Sequence, residues 1–150
     1  MSLPRALLLD MDGVLYRGSS PIEGAAEFLH AIRDCPFRFI TNNPIATPEQ
    51  VVSKMKAMGL GKFAADHVIT SAQATARYLA SENADFRFYA IGEKGLHTAL
   101  STVGVEDDQD ADYVVVGEGA GLDYQTLSEA IALIQQGAVL ISTNPDITVD

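Results

Sequence analysis

Short apolar runs alternate with amphipathic segments along most of the chain, and this alternation is the feature that most restricts its fold. The runs at 6–9 and 113–116 consist of apolar residues and are too short for typical helices, as expected for strands covered on both faces. The segments between such runs repeat apolar residues at helical spacing, as Ile22, Ala25 and Leu29 do. Alternating strands and helices predict a parallel sheet covered by helices, which is an α/β fold.

The same periodicity gives a set of expected elements. It predicts strands at 6–9, 37–40, 68–69, 86–91, 113–116 and 138–142, and helices at 21–33, 48–58, 72–79, 94–103 and 124–136. The polar stretch 80–85 separates two such series, so we expect one domain over residues 1–82 and a second over residues 83–150. The acidic stretch 106–112 is interpreted as a solvated connection.

Composition excludes several classes of function. The chain has 20 acidic and 10 basic side chains, for a net charge of −10, and no basic cluster of the kind that binds nucleic acid. No apolar run approaches the roughly 18 residues that span a bilayer, so we expect no membrane partner. Cys35 is the single cysteine, which excludes a disulfide framework. With no secretory signal in view, these features favour a cytoplasmic protein.

The strongest chemical signal is a pair of aspartates at the end of the first predicted strand. Asp10 and Asp12 lie at its carboxyl end, where open parallel sheets bind ligands. Their spacing of two can aim both carboxylates at one side of a site, and Gly13 permits a sharp turn after them. Two carboxylates this close repel each other, and Mg²⁺ would remove that conflict because it prefers oxygen ligands. The simpler interpretation is a strand that runs into an Asp-Gly turn.

This pair suggests a division of labour in phosphoryl transfer. One carboxylate attacks a phosphorus atom, and the other moves protons for the leaving group and for water. A second polar group, Thr41-Asn42-Asn43, follows the second predicted strand, at 37–40, at the same edge of the sheet. A threonine hydroxyl there can hold a phosphoryl oxygen, while Asn42 and Asn43 can orient the nucleophile or the substrate. The alternative is a polar turn, since Asn-Asn-Pro is common turn chemistry.

These residues carry a resemblance to the haloacid dehalogenase superfamily, and specifically to its p-nitrophenylphosphatase-like and NagD-like branch. The first motif of that superfamily is matched by residues 10–15 and the second by residues 39–43. Further matches to the branch are Gly18 with 21–25, 70–72 with 78–79, 114–117, and 143–146. The resemblance spans nearly the whole chain and implies a three-layer, Rossmann-like core, present in part, with an inserted α/β cap.

The resemblance also implies roles for the matched residues. Asp10 would be the nucleophile that becomes an aspartyl-phosphate, and Asp12 would act first as general acid and then as general base. Mg²⁺ would be held by the Asp10 carboxylate and the Asp12 backbone carbonyl. Thr41 would bind the transferring phosphoryl group. The cap would begin near Asn83 and close over the site, so that it selects a small phosphorylated metabolite.

Two family elements have no clear counterpart in this chain. They are a lysine that neutralises the phosphoryl-aspartate and an acidic motif that completes the Mg²⁺ shell, and in this branch both follow the cap. We therefore expect the chain to be the N-terminal part of a longer phosphatase. The alternative is a small capless phosphatase in which Lys94, Glu118 and Asp123 supply the lysine and the acidic motif.

Other classes of function remain open at this point. A receiver-like signalling domain would be phosphorylated on aspartate without rapid turnover, although its acidic pair would normally be adjacent and not separated by Met11. A catalytically incomplete fragment or binding module is the remaining class. The resemblance also allows a homodimer formed through the cap. The natural substrate has no readable code in the sequence.

Overall fold

The structure is a computed structural model that describes residues 6–144 of the 150-residue chain. Its strands are β1 (Leu7–Asp10), β2 (Tyr16–Arg17), β3 (Ser20–Pro21), β4 (Phe37–Thr41), β5 (Val68–Thr70), β6 (Arg87–Ile91), β7 (Val105–Glu106), β8 (Tyr113–Val116) and β9 (Val139–Ser142). Its helices are α1 (Ala25–Ala31), α2 (Pro48–Ala57), α3 (Ser71–Glu82), α4 (Lys94–Ser101) and α5 (Tyr124–Gln136), with a 3₁₀ turn at Ala65–His67. The predicted α/β architecture is confirmed.

The chain divides into two compact units. Within the described residues, the first contains residues 6–41 together with Pro48–Thr70, and the second contains Asn42–Thr47 together with residues 71–144. This division differs from the expected boundary after residue 82, because α3 and the loop between β4 and α2 group with the second unit. The assignment of the two parts as core and cap stays a prediction.

The first unit contains a parallel sheet with the strand order β1-β4-β5. Asp10 is level with Ile40 across the first pair of strands, and Thr41 is level with Thr70 across the second. Phe37 and Phe39 alternate inward along β4 and pack edge-to-face against Phe63, and this packing adds to the free energy gained by burying the rings. The polar residues at the strand ends therefore collect at one edge of this sheet.

The second unit contains a parallel sheet with the strand order β7-β6-β8-β9. Successive residues of β6 face opposite sides, so Phe88 packs with α3 and α4 while Tyr89 packs with α5. Val115 and Val114 of β8 divide between the two sides in the same way. Helices thus cover both faces of the sheet, as the continuous apolar strands predict.

Most predicted elements occur close to where the periodicity places them, and the largest boundary error is at the start of α1. The helix expected over 21–33 begins only at Ala25, because Pro21 belongs to the β2–β3 hairpin and Gly24 turns the chain at a φ of 82°. No helix among residues 6–144 is long and apolar enough to cross a membrane. Residues 145 and 146 of the last matched segment lie outside the described residues.

Candidate active site

The two predicted aspartates lie on either side of a buried methionine, Met11. Met11 is fully buried, whereas Asp10 and Asp12 are exposed. The alternation turns both acidic side chains outward while the residue between them packs into the core. Asp10 Oδ1 accepts a hydrogen bond of 2.9 Å from the backbone N–H of Met11, which fixes one carboxylate oxygen and leaves Oδ2 available. The spacing of two therefore presents two solvent-accessible carboxylates at the end of β1.

The loop after the aspartates is closed by main-chain hydrogen bonds. Gly13 has a φ of 77°, and its N–H donates to the carbonyl of Tyr16 at 2.8 Å. The N–H of Leu15 donates to the carbonyl of Met11, also at 2.8 Å, and Asp12 forms an isolated β-bridge with Tyr16. A left-handed conformation at residue 13 is accessible to glycine at little cost, so the expected sharp turn is present.

Tyr16 and Lys54 adjoin this loop, and sequence reasoning assigned neither of them to the site. Tyr16 is only 2% exposed, and burial, with the Asp12 and Asp10 carboxylates, raises the pKa of Tyr16 to about 12. Its phenol is therefore neutral at physiological pH. The Nζ of Lys54, from α2, lies 4.2 Å from the centroid of the Tyr16 ring, in cation–π geometry. No local motif relates residues 38 positions apart, so no sequence signal could have found this pair.

Thr41 is placed at the same sheet edge as Asp10. It is the last residue of β4, one position beyond Ile40, which is the register partner of Asp10. Thr41 is half-buried, and its register partner Thr70 is 2% exposed. The fold thus brings the two predicted reactive positions to the carboxyl ends of adjacent parallel strands, where sheets of this kind bind ligands.

Asn42 and Asn43 group with the second unit, although Asn42 follows Thr41 directly in the chain. The side-chain oxygen of Asn43 accepts a hydrogen bond of 2.8 Å from the N–H of Ile45, which is an Asx turn. The carbonyl of Asn42 accepts a hydrogen bond of 2.6 Å from the Ser71 hydroxyl. The turn chemistry expected from Asn-Asn-Pro is therefore present, and contact of these asparagines with substrate stays a prediction.

The donor set at the end of β1 suits Mg²⁺. The Asp10 and Asp12 carboxylates and the Asp12 carbonyl are hard oxygen ligands, and Mg²⁺ in proteins is commonly held by one or two carboxylates with water completing its shell. Within residues 6–144, no cluster of three or more histidine, cysteine or acidic side chains forms a metal centre. The residues present fit a magnesium ion that is held in part by protein oxygens.

The sheet topology differs from the one that the capless alternative requires. That alternative needs Lys94, Glu118 and Asp123 to follow strands of the sheet that contains Asp10, but the strands they follow, β6 and β8, belong to the second sheet. Asp123 has a structural role, since it caps α5 by accepting a hydrogen bond of 2.9 Å from the N–H of Thr126 in a capping box. Lys94 is the first residue of α4.

Comparisons with known proteins point to one family of hydrolases. The family model described as haloacid dehalogenase-like hydrolase matches residues 7–106. An acid sugar phosphatase of Staphylococcus haemolyticus is 39% identical over 149 residues, which cover 97% of this chain and 56% of that protein. One from Staphylococcus saprophyticus is 40% identical, with coverage of 97% and 57%. The chain thus spans little more than half the length of these relatives.

Solved structures show the same fold. The 4-nitrophenylphosphatase of Thermotoga maritima superimposes with a TM-score of 0.89 at 31% identity, over 97% of this chain and 56% of that one. NagD from Escherichia coli K-12 superimposes with a TM-score of 0.88 at 31% identity, over 99% and 60%. Both likenesses cover nearly the whole chain and so include both units. With its aspartate pair at the end of β1, the chain belongs to the haloacid dehalogenase-like hydrolases, in the branch of NagD and the nitrophenylphosphatases.

Proposed function

We propose that the protein is a Mg²⁺-dependent phosphatase that hydrolyses a small phosphomonoester through an aspartyl-phosphate on Asp10. The observation that carries this proposal is the exposure of Asp10 and Asp12 around buried Met11, at the sheet edge shared with Thr41. The likeness to sugar and nitrophenyl phosphatases supports the same class of reaction. Because the chain covers little more than half of its relatives, the proposal concerns the intact protein.

In the proposed reaction, Asp10 supplies the attacking oxygen. Oδ1 is occupied by the Met11 N–H, so Oδ2 attacks the phosphorus atom. The ester P–O bond breaks as the new Oδ2–P bond forms, and Asp12 donates its proton to the departing alkoxide. Asp12 then accepts a proton from a water molecule that attacks the phosphorus atom. This second displacement breaks the Oδ2–P bond and releases inorganic phosphate with a free Asp10 carboxylate.

The remaining groups position the phosphoryl group and offset charge. The Thr41 hydroxyl, at the end of the adjacent strand, donates a hydrogen bond to a phosphoryl oxygen. Mg²⁺, held by the Asp10 carboxylate and the Asp12 carbonyl, would neutralise charge between the acidic protein and an anionic substrate. Asn42 and Asn43 are proposed to orient the substrate. We expect this substrate to be a small phosphorylated metabolite such as a sugar phosphate or nucleotide, a cytoplasmic location, and dimerisation, if present, through the second unit.

The experiment is a matched pair of isosteric substitutions in the intact protein, assayed with p-nitrophenyl phosphate and Mg²⁺. Asp10→Asn removes the nucleophile and should lower kcat by more than about a thousandfold without unfolding the protein. Asp123→Asn, which alters a helix cap in the second unit, should leave kcat within about twofold. Exhaustive EDTA treatment should abolish wild-type turnover, and Mg²⁺ should restore it.

Three results would contradict the proposal. Activity of Asp10→Asn within about tenfold of wild type would remove Asp10 as nucleophile. Undiminished turnover after EDTA treatment would remove the metal. A phosphorylated wild-type protein that persists without turnover would instead favour the receiver-like alternative.

A further inference from the structure

The chain leaves the first unit at two neighbouring points and returns to it once, after Thr47. It leaves the first sheet after Thr41 of β4 and again after Thr70 of β5, and these two threonines are register partners in adjacent strands. Immediately beyond them, the Ser71 hydroxyl donates a hydrogen bond of 2.6 Å to the carbonyl of Asn42. The bond therefore links the segment that follows β4 to the segment that follows β5, at the first residue of each.

The loop that follows, Asn42–Thr47, is packed tightly within the second unit. The N–H of Gly95, in the first turn of α4, donates to the carbonyl of Ile45 at 2.9 Å. A Cβ at position 95 would lie within 2.7 Å of the carbonyl oxygens of Ile45 and Ala46 and still closer to that of Pro44. Such contacts are too short for any real side chain, so only glycine allows this approach of loop and helix.

Ser71 differs from other helical serines of this chain. The hydroxyls of Ser53, Ser81 and Ser128 each donate to a carbonyl three or four residues earlier, within their own helices. Ser71, at the start of α3, instead donates to a carbonyl 29 residues away. A serine at a helix start commonly accepts hydrogen bonds from its own first turn, so this long-range bond is a specific feature of the fold.

We infer that Ser71 and Gly95 are positioning residues that hold the Asn42–Thr47 loop on the second unit and thereby fix the main chain directly after Thr41. This inference rests on the proposed function, because it matters for catalysis only if Thr41 binds the phosphoryl group. Fixing the Asn42 carbonyl restricts the backbone rotations next to Thr41, and phosphoryl transfer depends mainly on such positioning. Asn42 and Asn43, predicted to orient the substrate, belong to the same loop.

The test compares two alanine substitutions in the same helix of the intact protein. Ser71→Ala removes the bond to Asn42, and Ser81→Ala removes a bond of equal length, 2.6 Å, that stays within α3. With p-nitrophenyl phosphate and Mg²⁺, we expect Ser71→Ala to lower kcat/KM by about two- to tenfold, the range of one hydrogen bond, and Ser81→Ala to change it less than twofold. Ser71→Thr, which keeps the hydroxyl, should recover most of the loss.

A second measurement does not depend on activity. Hydrogen exchange should show faster exchange of the Gly95 N–H in Ser71→Ala than in Ser81→Ala, with β4 and β5 equally protected in both. Equal exchange at Gly95 in the two variants would overturn the anchoring role. Faster exchange with unchanged kcat/KM would overturn the role in catalysis. An inactive wild-type protein would refute the proposed function instead, and the exchange result would still decide whether Ser71 anchors the loop.

Discussion

The acidic side chains of the two units have different surroundings. In the first unit, Asp10 accepts one hydrogen bond, from its neighbour Met11, and among residues 6–144 the Asp12 carboxylate has no hydrogen bond or ion pair. In the second unit, Asp107 accepts from the N–H groups of Gln109 and Asp110, both at 2.9 Å. These hydrogen bonds, aided by Arg87, hold the pKa of Asp107 below its usual range.

Hydrogen-bond donors also lower the pKa of two further carboxylates of the second unit. The N–H of Thr126 lowers the pKa of Asp123, which caps α5. The Tyr89 hydroxyl, which donates to Glu129 at 2.6 Å, lowers the pKa of that carboxyl, with help from Gln125. Burial and the Glu129 charge correspondingly raise the pKa of Tyr89 above its usual value.

The comparison separates structural acids from reactive ones. A carboxylate whose oxygens are occupied by N–H and O–H donors stabilises the fold, but it has little capacity left for a metal or a phosphorus atom. Asp12 keeps both of its carboxylate oxygens available, and Asp10 keeps Oδ2. The acidic stretch 106–112 is exposed at most of its residues, as predicted for a solvated connection, and Arg87 forms ion pairs with Asp107 and Asp110.

The largest expected effect comes from replacing one aspartate of each unit with alanine. Asp12→Ala should lower kcat of the intact protein by about 10²- to 10⁴-fold, the usual contribution of a general acid–base group. Its Tm should stay nearly the same, because the Asp12 carboxylate has no hydrogen bond or ion pair within residues 6–144. Asp107→Ala should have the opposite pattern, with kcat/KM within about twofold of wild type and a lower Tm. The measurements are steady-state kinetics with p-nitrophenyl phosphate and thermal unfolding.

Two results would contradict the separation of structural carboxylates from reactive ones. If Asp107→Ala lost activity at constant Tm, the second unit would hold a reactive carboxylate. If Asp12→Ala lost stability and not activity, Asp12 would be a structural residue.

A smaller effect concerns acid stability. Because the pKa of Glu129 is lower in the folded protein than in the unfolded chain, its ionised form favours folding. This stabilisation is complete above the unfolded pKa of about 4.3 and is lost as the pH falls through the folded pKa. Glu129→Gln should therefore lower stability at pH 7 and have a smaller effect at pH 3.

Denaturant unfolding at the two pH values checks this expectation. The control is Glu27→Gln, which alters an exposed glutamate of α1 in the first unit and should give the same small change at both pH values. A Glu129→Gln variant that is equally destabilised at pH 3 and pH 7 would show that the ionised form of Glu129, with its hydrogen bond from the Tyr89 hydroxyl, does not stabilise the folded protein.

Local sequence signals determined most of the fold. The β8 strand and the α5 helix match their expected ranges, because an unbroken apolar run and a capped, periodic segment each satisfy a local rule. The β2–β3 hairpin and β7, with two residues per strand, were not predicted, since so short a pairing leaves no periodicity. Pro21 is compatible with both a helix start and a strand edge, and the hairpin decided the outcome.

The candidate site was predictable only in part. Asp10, Asp12 and Thr41 follow apolar runs, so the rule for parallel sheets placed them at one edge. The contacts of Ser71 with Asn42 and of Lys54 with Tyr16 join residues far apart in sequence, and no local pattern specifies them. The tight approach of Gly95 to the Asn42–Thr47 loop likewise depends on tertiary packing.

The role of Asp10 as nucleophile is tested most directly by locating the phosphoryl group during turnover. The intact protein would be mixed with p-nitrophenyl phosphate and Mg²⁺, quenched rapidly in acid, digested, and analysed by tandem mass spectrometry. We expect one phosphorylated residue, Asp10, in wild type and none in Asp10→Asn. A phosphoryl group on any other residue, or a wild-type protein that turns over with no phosphorylated peptide at its steady state or in a single-turnover burst, would contradict it.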